Sequence, residues 1–306
     1  MRAQVVECVP NFSEGRNRET VHALETAVRQ VPGVRLVNAS ADPDHHRTVL
    51  TFLGAPDAVA EAAFQCAQVA VERIDLRSHH GVHPRIGAVD VMPFIPLRNV
   101  EMSECIALAH EVGRRIAREL QVPVYFYEHA ALHGKPSDLP TIRRGGFEKW
   151  VGQPLTGSRA PDAGPNFLHP TAGAAIVGAR GPLIAFNINL DTDRVGVAQQ
   201  IAQTIRQQRA HIPQLEGVRA LGLFLPSRRI AQVSLNLTQP DRSPLWWVLE
   251  YVRDLATQQG VQILETELIG AVPASAIVGT AAHYLQNSSL REEHILDLWL
   301  DPEWNP

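Results

Sequence analysis

The chain has 306 residues, a length that two cores of roughly 150 residues each serve better than one. Hydrophobic residues make up 45% and charged residues 20%, and the formal net charge is −4, a globular balance whose surface as a whole does not attract nucleic acid, so an anionic substrate needs a local basic pocket. Cys8, Cys66 and Cys105 are odd in number and include no CxxC pair, which argues against a disulfide framework or a zinc ribbon and for a reducing compartment.

Ala3–Val9 is a short apolar run that stops at Pro10 and reads as a strand. Glu7 and Pro10 come too early for the apolar core of a signal segment. With no run of about 18 apolar residues to cross a membrane, a cytoplasmic protein is expected. Arg16–Gln30 has Val21, Leu24 and Val28 at helical spacing, with Ser13 as a candidate cap, and Pro32-Gly33 is a turn. Val34–Ala39 and Thr48–Leu53 read as strands around the polar loop Asp42-Pro43-Asp44-His45-His46. Pro56–Arg73 is a buried helix and Ala88–Ile95 a strand bounded by prolines. Glu101–Leu120, capped by Ser103, adds a helix, and Val122–Tyr127 a strand.

His129–Gly181 changes character. It is rich in Gly, Pro and Arg and offers one helix near Leu139–Trp150; so long a stretch with little regular structure tends to be functional. The first order of elements then returns. Leu183–Leu190 is a strand, Arg194–Gln207 a helix, Val218–Leu225 and Ile230–Leu237 strands, Leu245–Gln259 a helix ended by Gly260, and Val261–Leu268 a strand. Pro273–Leu285 and the tail after Leu290 are expected to pack as helices on the second half. Each half is thus a split β-α-β sandwich of the ferredoxin-like kind, an α/β (α+β) fold, with domains expected at 1–180 and 181–306.

The richest chemistry lies in Arg77-Ser78-His79-His80-Gly81-Val82-His83-Pro84-Arg85-Ile86-Gly87, between a helix and a strand. Histidine is the side chain whose ordinary pKa suits a base near neutrality, and loops on rigid elements are where catalytic groups concentrate. Pro84 stiffens the loop, Gly81 and Gly87 permit close approach, and Arg85 supplies a cation, so His83 is the candidate base. The plain alternative makes these histidines surface and capping residues. His45 and His46 suggest a zinc hydrolase by number, but no HExxH spacing accompanies them, and a polar turn is the alternative; no metal is expected. Asn11 and Ser13 open a helix, either as a cap or as donors to an anion. Asn187 and Asn189 share one face of an apolar strand, where two amides need partners, and a ligand-facing wall is the reading adopted.

Together these segments resemble the glutamate formiminotransferase family. The resemblance runs through Val6-Glu7-Cys8-Val9-Pro10-Asn11-Phe12-Ser13-Glu14-Gly15, Arg47-Thr48-Val49, His83-Pro84-Arg85-Ile86-Gly87-Ala88-Val89-Asp90-Val91, Ala160-Pro161-Asp162, Gly164-Pro165 and Phe186-Asn187-Ile188-Asn189, in order over nearly the whole chain. It implies transfer of a formimino group between N-formimino-L-glutamate and tetrahydrofolate, as in histidine degradation, with folate as co-substrate. It also implies a homodimer, a substrate cleft between two subdomains, and His83 as the catalytic residue. The folate-contacting segment falls on Gly164, Pro165, Asn166, Phe167, Leu168, His169, Pro170, Thr171, Ala172 and Gly173. Animal members carry an acidic residue where Ser40 stands here, so Asp42 or Asp44 is expected to orient the imidazole instead. Arg47 and Arg85 are the candidates for glutamate carboxylates, and Asn11, Asn187 and Asn189 for the pterin side. Arg143, Arg144 and Arg180 are expected to draw the folate tail. A separate cyclodeaminase is expected to act downstream. Formyl transfer from 5-formyltetrahydrofolate to glutamate and a non-enzymatic folate-binding protein stay open as alternatives.

Overall fold

The structure is a computed structural model that describes residues 3–135 and 137–299. The chain forms two compact units, 1–181 and 182–306. In the first, β1 (Val5–Cys8) and β2 (Asn11–Phe12) are two parts of one strand position, interrupted at Pro10. Helix α1 (Arg18–Arg29) follows, then β3 (Val34–Asp42), β4 (Arg47–Gly54), α2 (Pro56–Arg73) and β5 (Val89–Arg98). Across the sheet the positions run β3, β4, β1 with β2, then β5, all antiparallel. This is the 2-3-1-4 order that a split β-α-β unit produces.

Helix α3 (Met102–Glu119) carries the chain to β6 (Val124–Glu128), and after α4 (Leu139–Ile142) and α5 (Gly146–Trp150) it returns as β7 (Ala175–Ala179). β7 inserts between β5 and β6 and pairs parallel with both. The sequence reading missed this strand. Its five small and branched residues are all buried and offer no alternation to read. The single helix expected near Leu139–Trp150 is two, because Gly145 takes a positive φ of 95° at the break. Two expected caps also move. Asn17 caps α1 by accepting from the Glu19 and Thr20 N–H groups, and Glu104 closes the start of α3 by accepting from Glu101 N–H at 2.7 Å. Ser13 instead donates to the Gly87 carbonyl at 2.7 Å, tying two loops.

The second unit is the plain version of the same design. Its elements are β8 (Ile184–Leu190), α6 (Val195–Gln208), β9 (Val218–Leu225), β10 (Ile230–Leu237), α7 (Leu245–Thr257) and β11 (Ile263–Ile269), and the sheet order is β11-β8-β10-β9. Alternation sends Ile184, Phe186, Ile188 and Leu190 into the core against Val197, Ile201 and Val248. Helix α8 (Ala274–Tyr284) follows. The tail expected to be helical shows 3-10 turns at Glu292–His294 and Leu296–Trp299, and residues 300–306 lie outside the described residues. Each unit has its own apolar core.

The close seating of α6 on its sheet depends on Gly222 of β9. A Cβ there would stand 2.3 Å from the Gln199 nitrogen and 2.4 Å from the Ala198 carbonyl carbon, both helix backbone. Gly222→Ala should lower unfolding free energy by about 1–3 kcal/mol, the usual cost of overpacking. Gly196→Ala, on the exposed start of the same helix with nothing within 4 Å, should be neutral or stabilising. Urea unfolding of the two variants checks the contrast.

Candidate active site

Three loops of the first unit meet where β2 and β4 begin. The first is Pro10–Gly15. The second is the hairpin tip between β3 and β4, folded as an Asx turn in which Asp42 Oδ1 accepts from the Asp44 and His45 N–H groups at 2.8 and 2.7 Å. The third is the histidine loop before β5. Val82 N–H donates to the Asp44 carbonyl (3.1 Å), His79 Nε2 to the His46 carbonyl (2.8 Å), and Arg16 to the Pro43 and His80 carbonyls (both 2.8 Å). A Cβ on Gly81 would lie 2.4 Å from the His45 carbonyl oxygen, so glycine sets how closely the loops seat. The far end is fixed too. Ile86 N–H donates to Asp90 Oδ1, Ala88 N–H to the Ala172 carbonyl and Ala174 N–H to the Ile86 carbonyl, while Gly87 and Gly173 form a β-bridge.

His83, partly buried, sits in the middle. Its Nδ1 lies 2.8 Å from the Pro84 carbonyl oxygen. A carbonyl only accepts, so the proton is on Nδ1 and Nε2 carries the lone pair. Arg47 Nη1 donates to that Nε2, and Arg47 Nη2 donates to Asn11 Oδ1, whose amide is set by donating to the Val9 carbonyl at 2.8 Å. Burial first, then the charges of Arg47, Arg143 and His45, hold His83 well below the ordinary histidine value. The imidazole is therefore neutral at physiological pH, with its basic lone pair on Nε2.

Arg47 feels the charge of Asp90 but, among the described residues, bonds no carboxylate. Its Nε is buried and unbonded, and among the described residues its side chain bonds the His83 ring and the Asn11 amide. Burial, then repulsion by Arg143, lowers its pKa to about 10, which leaves it charged at neutrality. The nearby carboxylate, Asp90, is already taken: Arg143 Nη2 reaches its Oδ2 at 2.5 Å and Arg143 Nε its Oδ1 at 3.3 Å. A half-buried guanidinium bonded only to neutral groups has the planar fork that suits a carboxylate.

The other expected residues are placed as follows. Arg85 donates to His79 Nδ1 (2.5 Å) and the His79 carbonyl (2.9 Å) and pairs with Glu148 of α5 (2.7 Å). It braces the histidine loop, and His79, pushed down to about 4 chiefly by burial, is a neutral part of the brace. His46 stacks on His79 with ring centroids 4.1 Å apart and faces Glu14 at 3.1 Å. Asp42 holds the hairpin turn, and the group that orients the His83 ring is the Pro84 carbonyl. Asp44 contributes its carbonyl to Val82.

Gly164–Gly173 is carried next to the histidine loop through Ala172 and Gly173, with Phe167 exposed and His169 Nδ1 accepting from Ala172 N–H at 3.0 Å. Of the arginines expected to draw a folate tail, Arg143 is committed to Asp90, Arg144 is exposed, and Arg180 bonds the Gly181 carbonyl. Asn187 and Asn189 belong to the second unit, on the sheet face opposite α6 and α7. There they donate to Glu267 and Glu265, and Gln232 donates to Asn189. Among the described residues no three His, Cys, Asp or Glu side chains converge as metal ligands. No helix among them is long and apolar enough to cross a membrane.

Sequence reasoning missed the Asp90–Arg143 pair. The signal was there: Asp90 interrupts the apolar run Val89–Ile95, and a buried acid needs a cation.

A neutral histidine whose basic nitrogen meets a guanidinium, on a split β-α-β frame, makes this junction a candidate general acid–base site. The sequence matches the formiminotransferase domain, N-terminal subdomain, over residues 5–180 and the formiminotransferase domain over residues 185–299; the chain belongs to the formiminotransferase family. It is 40% identical over 300 residues to the glutamate formimidoyltransferase of Streptococcus pyogenes serotype M1, covering 96% of this chain and 99% of that one. It is 39% identical to the glutamate formimidoyltransferase of Thermoplasma acidophilum, covering 96% of each. It is also 41% identical to the formimidoyltransferase-cyclodeaminase of Rattus norvegicus, of which it spans 56%.

Removing the Asp90 charge should leave Arg143 buried without a partner. Asp90→Asn is expected to cost about 3–5 kcal/mol of stability, as broken buried pairs do. A loss under about 1 kcal/mol in urea unfolding would show that this pair does not hold the site.

Proposed function

We propose that the protein is a glutamate formimidoyltransferase, exchanging a formimino group between N-formimino-L-glutamate and tetrahydrofolate. The observation that carries the reading is the neutral His83 with its Nε2 lone pair directed at the guanidinium of Arg47. Family membership and two relatives of that name, matched over almost their full lengths, support it.

The chemistry follows from those atoms. N5 of tetrahydrofolate attacks the amidine carbon of the donor, and a C–N bond forms. The N5 proton passes to His83 Nε2, within reach once a substrate is seated. The tetrahedral intermediate collapses by breaking the bond to the glutamate nitrogen, and Nε2 returns the proton to that leaving amine. Protons and bonds balance with no covalent enzyme intermediate. Much of the acceleration comes from holding two substrates together. Arg47 receives a glutamate carboxylate. The Gly164–Gly173 segment, beside the histidine loop, contacts folate, with Phe167 offering an exposed ring to stack on. Asn11 fixes the Arg47 fork, and Arg85 keeps the loop in place. The protein works in the cytoplasm as a homodimer, without a metal.

The test is an assay of the purified protein with N-formimino-L-glutamate and tetrahydrofolate, following formimino-folate. His83→Ala should lower kcat by roughly 10²–10⁴-fold with the fold intact, the usual weight of a general base. Near-normal turnover would remove His83 from the mechanism. The pH profile of kcat/KM reports the free enzyme. Because the folded-state pKa of His83 lies below 6.5, the base stays unprotonated as pH falls through that value. Its acid limb should therefore appear well under pH 6.5, and a limb centred above it would contradict the burial argument.

A further inference from the structure

The lone pair that must take the proton is already occupied. Arg47 Nη1 donates to His83 Nε2, and with the proton on Nδ1 this ring has no other basic nitrogen. A base whose lone pair accepts a hydrogen bond from a guanidinium is not available to a substrate. The same guanidinium is the cation that lacks a carboxylate, with its Nε buried and unbonded. The two anomalies resolve in a single movement. A carboxylate makes stronger, charge-assisted bonds to a guanidinium than a neutral ring nitrogen does.

We infer that Arg47 is a substrate-operated gate: it covers His83 Nε2 until a substrate carboxylate draws its guanidinium away and so exposes the base. The surroundings suit a side chain with two positions. Its present partners, the His83 ring and the Asn11 amide, are both neutral, so neither competes with an anion. The Asp90 carboxylate, which would otherwise trap Arg47 permanently, is held by Arg143 in two bonds. Arg143 in turn repels Arg47 and adds to the pull of any arriving anion. The loop around His83 is laced at both ends, so the arginine side chain rather than the histidine is the part free to shift.

The consequence is a selectivity that binding alone does not give. A formimino donor without a carboxylate fails to switch on the base even when it occupies the site. The gate rests on the functional reading above, and the test separates the two. Wild type and Arg47→Ala are assayed with tetrahydrofolate and either N-formimino-L-glutamate or N-propylformamidine, a donor that has no carboxylate. Wild type should use the formamidine slowly. Free propionate should raise that rate saturably by about tenfold, the weight of one hydrogen bond from a charged donor. Arg47→Ala should lose turnover of N-formimino-L-glutamate, yet use the formamidine about tenfold faster than wild type without propionate. Propionate should then have no effect.

A purely structural role for Arg47 lowers both donors together, and a purely carboxylate-binding role lowers N-formimino-L-glutamate alone and leaves the formamidine rate unchanged. The gate is refuted if propionate leaves the wild-type rate unchanged, or if a folded Arg47→Ala is no faster with the formamidine. Should the alanine variant fail to fold, the propionate titration of wild type decides alone. Absence of transfer from N-formimino-L-glutamate by wild type would overturn the functional reading itself, and the gate would fall with it.

Discussion

A buried guanidinium without a carboxylate is the constraint on which the candidate site turns. Arg47 enters at the first residue of β4, beside the hairpin tip, and is desolvated there with only the Asn11 amide and the His83 ring for company. In most buried sites such a charge is neutralised by a neighbour, because an unpaired ion is costly to remove from water. Here Asp90, whose charge reaches Arg47, is committed to Arg143. Among the described residues the Arg47 charge is thus left without a bonded carboxylate. Its field, added to burial, is also what keeps His83 neutral.

The frame explains how so polar a junction holds still. Pro10 interrupts a strand position without shifting it: β1 and β2 keep one register against β4 and β5, and the strand runs on to carry Asn11 and Ser13 to the loops. The hairpin tip and the histidine loop are then bonded through backbone carbonyls of Pro43, Asp44, His46 and His80. Three stacked or bonded side chains, His46, His79 and Arg85, extend the lacing to Glu148 on α5. Loops on a rigid sheet with this many cross-links are a standard way to fix catalytic geometry. The second unit repeats the frame without the added strands β6 and β7, and without a histidine loop.

Much of this was legible in the residues. The four-strand order of each unit followed from period and turn chemistry, because alternation and helical spacing are strong where one face of an element is buried, as in β9 and α1. β7 was not legible, since a short strand buried on both faces has no period to show. At the site, His83 was readable from Gly81, Pro84 and Gly87 around it, while the partners of each side chain were not. Arg85 and Arg47 look alike in sequence, yet one pairs with Glu148 and the other has no acid. The group that orients His83 is a backbone carbonyl, which no residue type announces. Arg143 lies 53 positions from its partner Asp90, a long-range pairing that local pattern does not reach.

The central claim is that His83 rests as a neutral ring with its proton on Nδ1 and its lone pair on Nε2. Protein labelled with 15N in histidine and observed by NMR near neutral pH, without ligands, tests this directly. The account predicts a pyrrole-like Nδ1 and a pyridine-like Nε2 for His83, and loss of that pair of signals in His83→Ala. An imidazolium pattern, or the proton on Nε2 instead, would contradict it.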